Sequence, residues 1–365
     1  GVHIAGAEKE MASLAEKTGI PVVTTIMGKG VLPSDHPLYM GNLGIHGSFA
    51  ANMATSECDV LFAIGTRFND RITGKTDSFA DKAVIIHADI EPDVISRNVP
   101  ADISVAADAG KLIRILLERA KPSAAGEWVS RLKLWKQRHP VTLKKSTSGE
   151  MSAQNVIEYI NDLFDSAVIT TDVGQNQMWA SQFLKLSEKR KMLTSGGMGT
   201  MGYGFPAAIG AKLGVPRKDV IAICGDGGFQ MNIQELATAA LYELPIIICI
   251  FNNGYLGNVR QWQEMFYDRR YSATCTCRRE SCMKECKSAS AHCLSGYIPD
   301  FVHLAQSYGA EGIRVREVKD IRSALLKAKE SKNVPTVIEF IIGREQNVLP
   351  IVPPGNSLEN MIGGE

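Results

Sequence analysis

The sequence predicts an α/β protein built from two doubly wound, parallel-sheet domains. Short apolar runs rich in β-branched residues alternate with helical periodicity, the alternation occurs in two series, and a stretch of lower apolar content separates them. A length of 365 residues suits about two domains of ordinary size, each burying its own core.

In the first series, residues 1–120, Val22–Thr25, Val60–Gly65 and Val84–Asp89 read as strands, and Glu8–Thr18 and Ala109–Ala120 as helices. Residues 121–150 carry Pro122, Pro140 and Ser146-Thr147-Ser148-Gly149, so they are expected to link the domains, with a helix around Trp128–Arg138. The second series, 151–345, places strands at Ala167–Thr171, Val220–Cys224, Pro245–Phe251 and Thr336–Ile342, and a helix at Gln234–Glu243. From residue 346 to 365, Pro350, Pro353, Pro354 and Gly355 predict a tail of turns and extended backbone.

Forty basic against thirty-nine acidic residues leave a net charge of +1, which offers no field to hold a nucleic acid or an anionic membrane. The longest apolar runs fall far short of the roughly 20 residues of a membrane span. A small-molecule ligand and a cytoplasmic location are therefore expected. No charged leader opens the chain, which begins mid-pattern at Gly1-Val2-His3 and reads as part of a longer protein.

Cys58, Cys224 and Cys249 stand singly in apolar stretches, as buried free thiols do. Cys275, Cys277, Cys282, Cys286 and Cys293 fall in an expected insert, 273–297, without Cys-x2-Cys pairs; reduced thiols and a bound metal both remain open.

The chemistry is carried by two loops. The strand ending at Cys224 runs into Gly225-Asp226-Gly227-Gly228, and the strand ending at Phe251 runs into Asn252-Asn253. In a parallel sheet both emerge at the carboxyl edge, where open α/β sheets bind ligands. Together they offer a carboxylate, a carboxamide oxygen and glycine amides, the parts of a magnesium-diphosphate site. Gly-Asp-Gly alone is a common turn and Asn-Asn alone a common loop end. The pair, about two dozen residues apart and each following a buried strand, is specific and resembles the thiamine-diphosphate motif.

That resemblance implies Asp226, Asn253 and the main-chain oxygen of Tyr255 as Mg2+ ligands. Two more stretches match the same family, Asp172-Val173-Gly174-Gln175-Asn176-Gln177-Met178-Trp179 and the glycine-rich run from Gly196 to Ala208. The resemblance places Gln175, Asn176, Gly199, Met201, Gly225, Gly227, Gly228 and Asn253 around thiamine diphosphate. Asn176 stands where many relatives carry histidine. Met201 is implied to wedge beneath the cofactor, the alternative being ordinary core packing.

In the first series, Leu43-Gly44-Ile45-His46-Gly47 and the run from Gly65 to Lys75 resemble the FAD-site segments of acetolactate synthases. Arg67 and Arg71 with flanking glycines would serve a dinucleotide's phosphates, against an alternative of surface ion pairs with Asp70 and Asp77. The resemblance extends the FAD set to Thr25, Ile26, Leu43, Gly44, Ile45, His46, Gly65, Arg67, Asp70, Arg71, Asp89, Ile90 and Asp108. Asn69 stands where the family usually has aspartate.

Val259 to Tyr267 resembles the synthase segment that shapes a 2-oxoacid channel, with Trp262 at its wall, Asn258 in place of a frequent methionine, and Arg71 as carboxylate clamp. The whole chain thus resembles the carboxyl-terminal two thirds of the acetolactate synthase large subunit. The resemblance implies a transferase of isoleucine and valine biosynthesis that decarboxylates pyruvate and joins the product to pyruvate or 2-oxobutyrate. It uses thiamine diphosphate, Mg2+ and a structural FAD, with Met201, Arg71 and Trp262 in the reaction site. It also implies a homodimer or tetramer, with a small regulatory subunit in some members. In the family the activating glutamate belongs to a preceding domain, so residues 1–365 alone are expected to be inactive. The rival readings are pyruvate oxidase or another FAD-containing relative, and a non-catalytic subunit-interaction remnant.

Overall fold

The computed structural model describes residues 1–123, 125–143, 149–276 and 298–364. It divides into two compact units, Gly1–Thr142 with Lys185–Glu188 and Leu349–Glu365, and Leu143–Leu184 with Lys189–Val348.

In the first unit, helix α1 (Glu8–Thr18) precedes the parallel pair β1 (Val22–Thr24) and β2 (Tyr39–Asn42), and α2 (Phe49–Ser56) follows. A separate parallel sheet has the order β3 (Val60–Ile64), β4 (Val84–Asp89), β5 (Ile103–Ala106), with a helical turn α3 (Asp70–Thr73) between its first two strands. The expected strands are present, but in two sheets; β1 has only three residues and finds its ladder in β2. Helix α4 (Ala109–Arg119) buries Ala109, Gly110 and Ile113, a one-sided stripe that packs with Leu14 and Ala15 of α1.

Helix α5 (Gly126–Arg138), expected within an interdomain connection, belongs to this unit's core. Val129 and Leu132, one helical turn apart, pack with Met40 and Ala54, and Lys136 Nζ donates to the Tyr39 carbonyl at 2.7 Å. The carboxyl-terminal stretch packs here too. Val352 and Leu358 join Phe68, Phe79 and Ile85, with Met361 packed against them, because the apolar side chains of this proline-rich tail gain by leaving water.

The second unit is one six-stranded, all-parallel sheet. Its strands are β6 (Val168–Thr171), β7 (Lys191–Thr194), β8 (Val220–Gly225), β9 (Ile247–Asn252), β10 (Glu311–Val315) and β11 (Thr336–Ile341), in the order β10-β11-β9-β8-β6-β7. The central strands are buried along their length, so they read as unbroken apolar runs. Ala222, Cys224, Ile248 and Ile250 face Phe205 and Ala208 of α8 (Gly204–Gly214), Leu236 of α10 (Glu235–Leu241) and Phe301. Alternate residues such as Ile221 and Ile223 point to the other face, where α6 (Ala153–Leu163), α7 (Gln175–Phe183) and the helix Ile321–Glu330 pack. Each fully buried isoleucine contributes about 1.5–3 kcal/mol.

The chain leaves β6 toward β7 on one side and leaves β8 toward β9 on the other. The loops after β6 and β8 therefore diverge and open a crevice between them at the carboxyl edge. Among the described residues no helix is long and apolar enough to cross a membrane.

Candidate active site

Three loops meet at this crevice. After β6, Asp172-Val173-Gly174 turns into α7, with Gly174 at φ 126°, a conformation that favours glycine. The buried Asp172 carboxylate accepts from Val173 N at 2.6 Å and from Gly202 N at 2.9 Å, tying the glycine-rich loop before α8 to the end of β6. Burial pushes its pKa up, and these backbone amides oppose the shift. Thr170 Oγ1 donates to the Gly204 carbonyl at 2.7 Å, and a side chain at Gly204 would lie 2.6 Å from Asp172 N. Asp172 opens a recognisable motif, yet its role as a brace is legible only from these contacts.

After β8, Gly225 leads into the short helix α9 (Asp226–Phe229). Asp226 is 1% exposed, and desolvation raises its pKa to about 7; the Glu339 carboxylate pushes the same way, while the Thr276 hydroxyl and backbone amides oppose. After β9, Asn252 Oδ1 accepts from Gly254 N and Asn253 Oδ1 from Tyr255 N, both at 3.1 Å, closing a turn with Gly254 at φ 71°.

Gln175 and Asn176 are used differently. Gln175 Nε2 donates to Gln261 Oε1 and to the Gln346 carbonyl at 2.9 Å, and its Oε1 accepts from Asn253 Nδ2 at 3.2 Å. The side chain thus braces the Asn253 loop against helix α11 (Gly257–Phe266). Among the described residues Asn176 has one long bond, 3.4 Å to the Val173 carbonyl, and its buried Oδ1 has no partner. It lines a cleft with Met201, Gly225, Asp226, Gly227, Asn253 and Tyr255. A side chain at Gly227 would meet Leu256 at 2.5 Å and fall near the Met201 methyl. Gly199 is exposed, has φ 63°, and does not line the cleft.

The residues present suit a divalent cation carrying an anionic group. A desolvated carboxylate, a carboxamide and main-chain oxygens form the all-oxygen set a hard cation takes, with phosphate oxygens completing it. Among the described residues Asn176 Oδ1 has no partner, and a side chain at Gly225 or Gly227 would crowd the same cleft.

Trp262 lies on α11 and lines an adjoining open cleft with Asn258, Val259, Gln263, Tyr267 and Arg270; Asn258 and Val259 also line the first. Its ring meets Phe266 edge-on at 5.7 Å. The helix is strapped down by residues the sequence did not single out as braces. Arg260, fully buried, donates to Glu264 Oε2 at 2.7 Å and to Asn347 Oδ1, and Gln261 Nε2 donates to the Val348 carbonyl at 2.9 Å. Two polar side chains with no exposed surface on an amphipathic helix are the only signal of this.

In the first unit, Gly44 (φ 119°) donates to Asn52 Oδ1 at 2.9 Å, Asn52 Nδ2 returns to the Gly44 carbonyl at 3.0 Å, and Ile45 N donates to the Arg71 carbonyl at 2.9 Å. Leu43 N donates to the Thr24 carbonyl, bringing the Leu43–His46 segment to the end of β1. There Thr25 caps the turn Ile26–Gly28. Burial drives the His46 pKa down to about 4, so its ring is neutral near pH 7, 3.3 Å from the Pro350 carbonyl.

Gly65 accepts from the Gly1 amino group at 3.0 Å. Asp89 Oδ1 is held by Glu91 N at 3.0 Å, and Ile90 is exposed. Asp70, Arg67 and Arg71 are exposed, and among the described residues neither arginine forms an ion pair, with Asp70, Asp77 or any other acid. Asn69 Oδ1 is buried and has no partner among the described residues. Asp108 caps α4 through Lys111 N at 2.9 Å, so its carboxylate is committed to the helix. Of the cysteine run, Cys275 bridges the Tyr255 backbone, and Cys277, Cys282, Cys286 and Cys293 lie outside the described residues.

Comparison with known families matches the thiamine pyrophosphate enzyme C-terminal TPP binding domain over residues 172–340 and the thiamine pyrophosphate enzyme central domain over residues 1–116. The chain belongs to the thiamine pyrophosphate enzyme family. The central-domain match falls within the first unit, and the C-terminal-domain match opens at Asp172 and takes in all three crevice loops. This thiamine pyrophosphate enzyme chain is 44% identical to the probable acetolactate synthase large subunit of Methanocaldococcus jannaschii, over 99% of the chain and 59% of that protein. It is 44% identical to the acetolactate synthase large subunit of Corynebacterium glutamicum, over 98% and 56%. It is 41% identical to that of Parasynechococcus marenigrum, over 100% and 56%. The chain therefore spans under two thirds of the length of these relatives.

Proposed function

We propose that the protein containing this chain is an acetolactate synthase, which decarboxylates pyruvate and joins the two-carbon product to a second pyruvate or to 2-oxobutyrate. The observation that carries the reading is the desolvated Asp226 carboxylate beside the Asn253 turn in a glycine-walled cleft, within a chain similar throughout to acetolactate synthase large subunits.

Thiamine diphosphate, when bound, supplies the electron sink for loss of carbon dioxide. Asp226, Asn253 and the Tyr255 carbonyl would hold Mg2+. Gly225, Gly227 and Gly228, with Asn176, would take the diphosphate. Met201 orients the cofactor by contact, and Gln175 acts by bracing Asn253. Trp262 forms a substrate wall that excludes water, since an apolar ring offers a 2-oxoacid packing without competing hydrogen bonds. In the first unit, Arg67 and Arg71 offer exposed guanidinium groups to the phosphates of FAD, and Arg71 also to a substrate carboxylate. The Leu43–His46 segment, Gly65 and Asp89 would complete the flavin site. Carboligation has no net redox step, so FAD is structural in this reading.

A homo-oligomer, with or without a small regulatory subunit, accompanies it. The free buried thiols Cys224 and Cys249 accord with a reducing, cytoplasmic setting.

The test is calorimetry of thiamine diphosphate binding to the complete protein with and without Mg2+, beside a product assay without an electron acceptor. Metal-dependent binding that Asp226→Ala abolishes, with acetolactate as product, is expected. Unchanged binding in that variant, or a reaction that stops without an electron acceptor, overturns the reading.

A further inference from the structure

Glu339 is a buried carboxylate on β11, 2% exposed, and the proposed chemistry does not use it. Each of its oxygens has one partner. Arg314 Nε on β10, directly opposite it in the parallel ladder, donates to Oε2 at 2.5 Å; Asn252 Nδ2 at the end of β9 donates to Oε1 at 2.7 Å. Asn252 pairs with Ile341, two residues further along β11 on the same face as Glu339, so the two side chains meet diagonally across the sheet.

We propose that Glu339 is a positioning residue for the cation-holding turn; the proposal rests on the functional reading above. A carboxylate only accepts, so Asn252 must present its NH2 to Glu339 and turn its carbonyl oxygen the other way. That oxygen accepts the Gly254 amide at 3.1 Å, which closes the turn carrying Asn253 and Tyr255. The ion pair with Arg314 fixes Glu339 in rotation. Arg314 is anchored in turn by Asp300 at 2.8 Å, the residue that caps the helix Phe301–Ser307. With a neutral amide at position 339 either end could face Asn252, and the orientation of the turn would no longer be imposed.

The experiment compares Glu339→Gln, Asn252→Ala and the double variant in the complete protein. Mg2+ is titrated at fixed thiamine diphosphate, melting is followed in parallel, and hydrogen exchange of the Gly254–Leu256 amides is measured without ligand. Each single variant is expected to weaken Mg2+ binding about tenfold, with the double no worse than the singles because both act through one turn. Faster exchange at Gly254 is expected in both. Wild-type Mg2+ affinity and Gly254 exchange in folded Glu339→Gln, or losses that multiply, overturn the proposal. If Glu339→Gln does not fold, the half-exposed Arg314 carries the test: wild-type affinity and exchange in both Arg314→Lys and Arg314→Met overturn it. A wild-type protein that binds no thiamine diphosphate, combined with faster Gly254 exchange in Glu339→Gln, overturns the functional reading and leaves the positioning role standing.

Discussion

The Thr276 hydroxyl donates a 2.7 Å hydrogen bond to Oδ2 of Asp226. The same segment is stitched to the turn after β9, with Thr276 N donating to the Gly254 carbonyl at 3.0 Å and Leu256 N to the Thr274 carbonyl at 2.7 Å. The carboxylate and the turn expected to share a cation thus share a strut as well.

Thr276→Val keeps the shape and removes the donor, leaving a desolvated carboxylate less stabilised in the charged form that a cation needs. Mg2+-dependent binding of thiamine diphosphate should weaken by about tenfold, or about 1.4 kcal/mol, while Thr276→Ser binds as the wild type does. Equal affinities in all three by calorimetry would make Thr276 a bystander.

Gly204 and Gly210 lie on one helix and should respond oppositely to alanine. At Gly204 the new carbon would sit 2.6 Å from the Asp172 backbone nitrogen, which cannot step aside, so a loss of about 1–3 kcal/mol is expected. Gly210 is exposed with nothing within 4 Å, and alanine there should stabilise by up to about 1 kcal/mol. Thermal melts of the two variants check both signs.

How much of this was legible follows from burial. Val220–Cys224 and Pro245–Phe251 read as strands because both faces of a central parallel strand are covered, and the motif loops follow them directly. Lys191–Thr194 and Glu311–Val315 escaped notice because they are the sheet's edges, half-exposed and interrupted by charge. Gln175 was read as a ligand group because it sits in a motif; that its amide is committed to Gln261 and Asn253 depends on residues some 80 positions away. Glu339 could not be recognised at all, since one acid in an apolar run has no periodicity to announce its partners.

His46 should make stability fall with acid. Its folded pKa of about 4 lies below the roughly 6.5 of an unfolded histidine, so the contribution is complete above about pH 6.5 and lost as pH falls toward 4, where the unfolded chain gains the proton first. The full effect is about 3 kcal/mol. Denaturant unfolding of wild type and His46→Gln at pH 7.5 and 4.5 should show a steeper loss in the wild type; parallel losses would refute the burial argument.

The complete protein should purify yellow, with oxidised flavin that is not consumed as acetolactate forms. Arg67→Ala/Arg71→Ala should release the flavin, because both guanidinium groups are exposed and form no ion pair among the described residues. A colourless preparation of full activity would remove FAD from the reading.

The order of the six-stranded sheet bears on how the chain tolerates length. Leaving β9, the backbone must pass the place that β11 will later fill, build the outer strand β10, and return. A detour between a central strand and an outer one hangs from the sheet's margin, so added residues alter no ladder register and cost mainly loop-closure entropy, about 0.6 kcal/mol per doubling. Sequence after Thr276 and before Pro299 can therefore change in length and composition while Asp226, Asn253 and the strut at Thr274 and Thr276 keep their places.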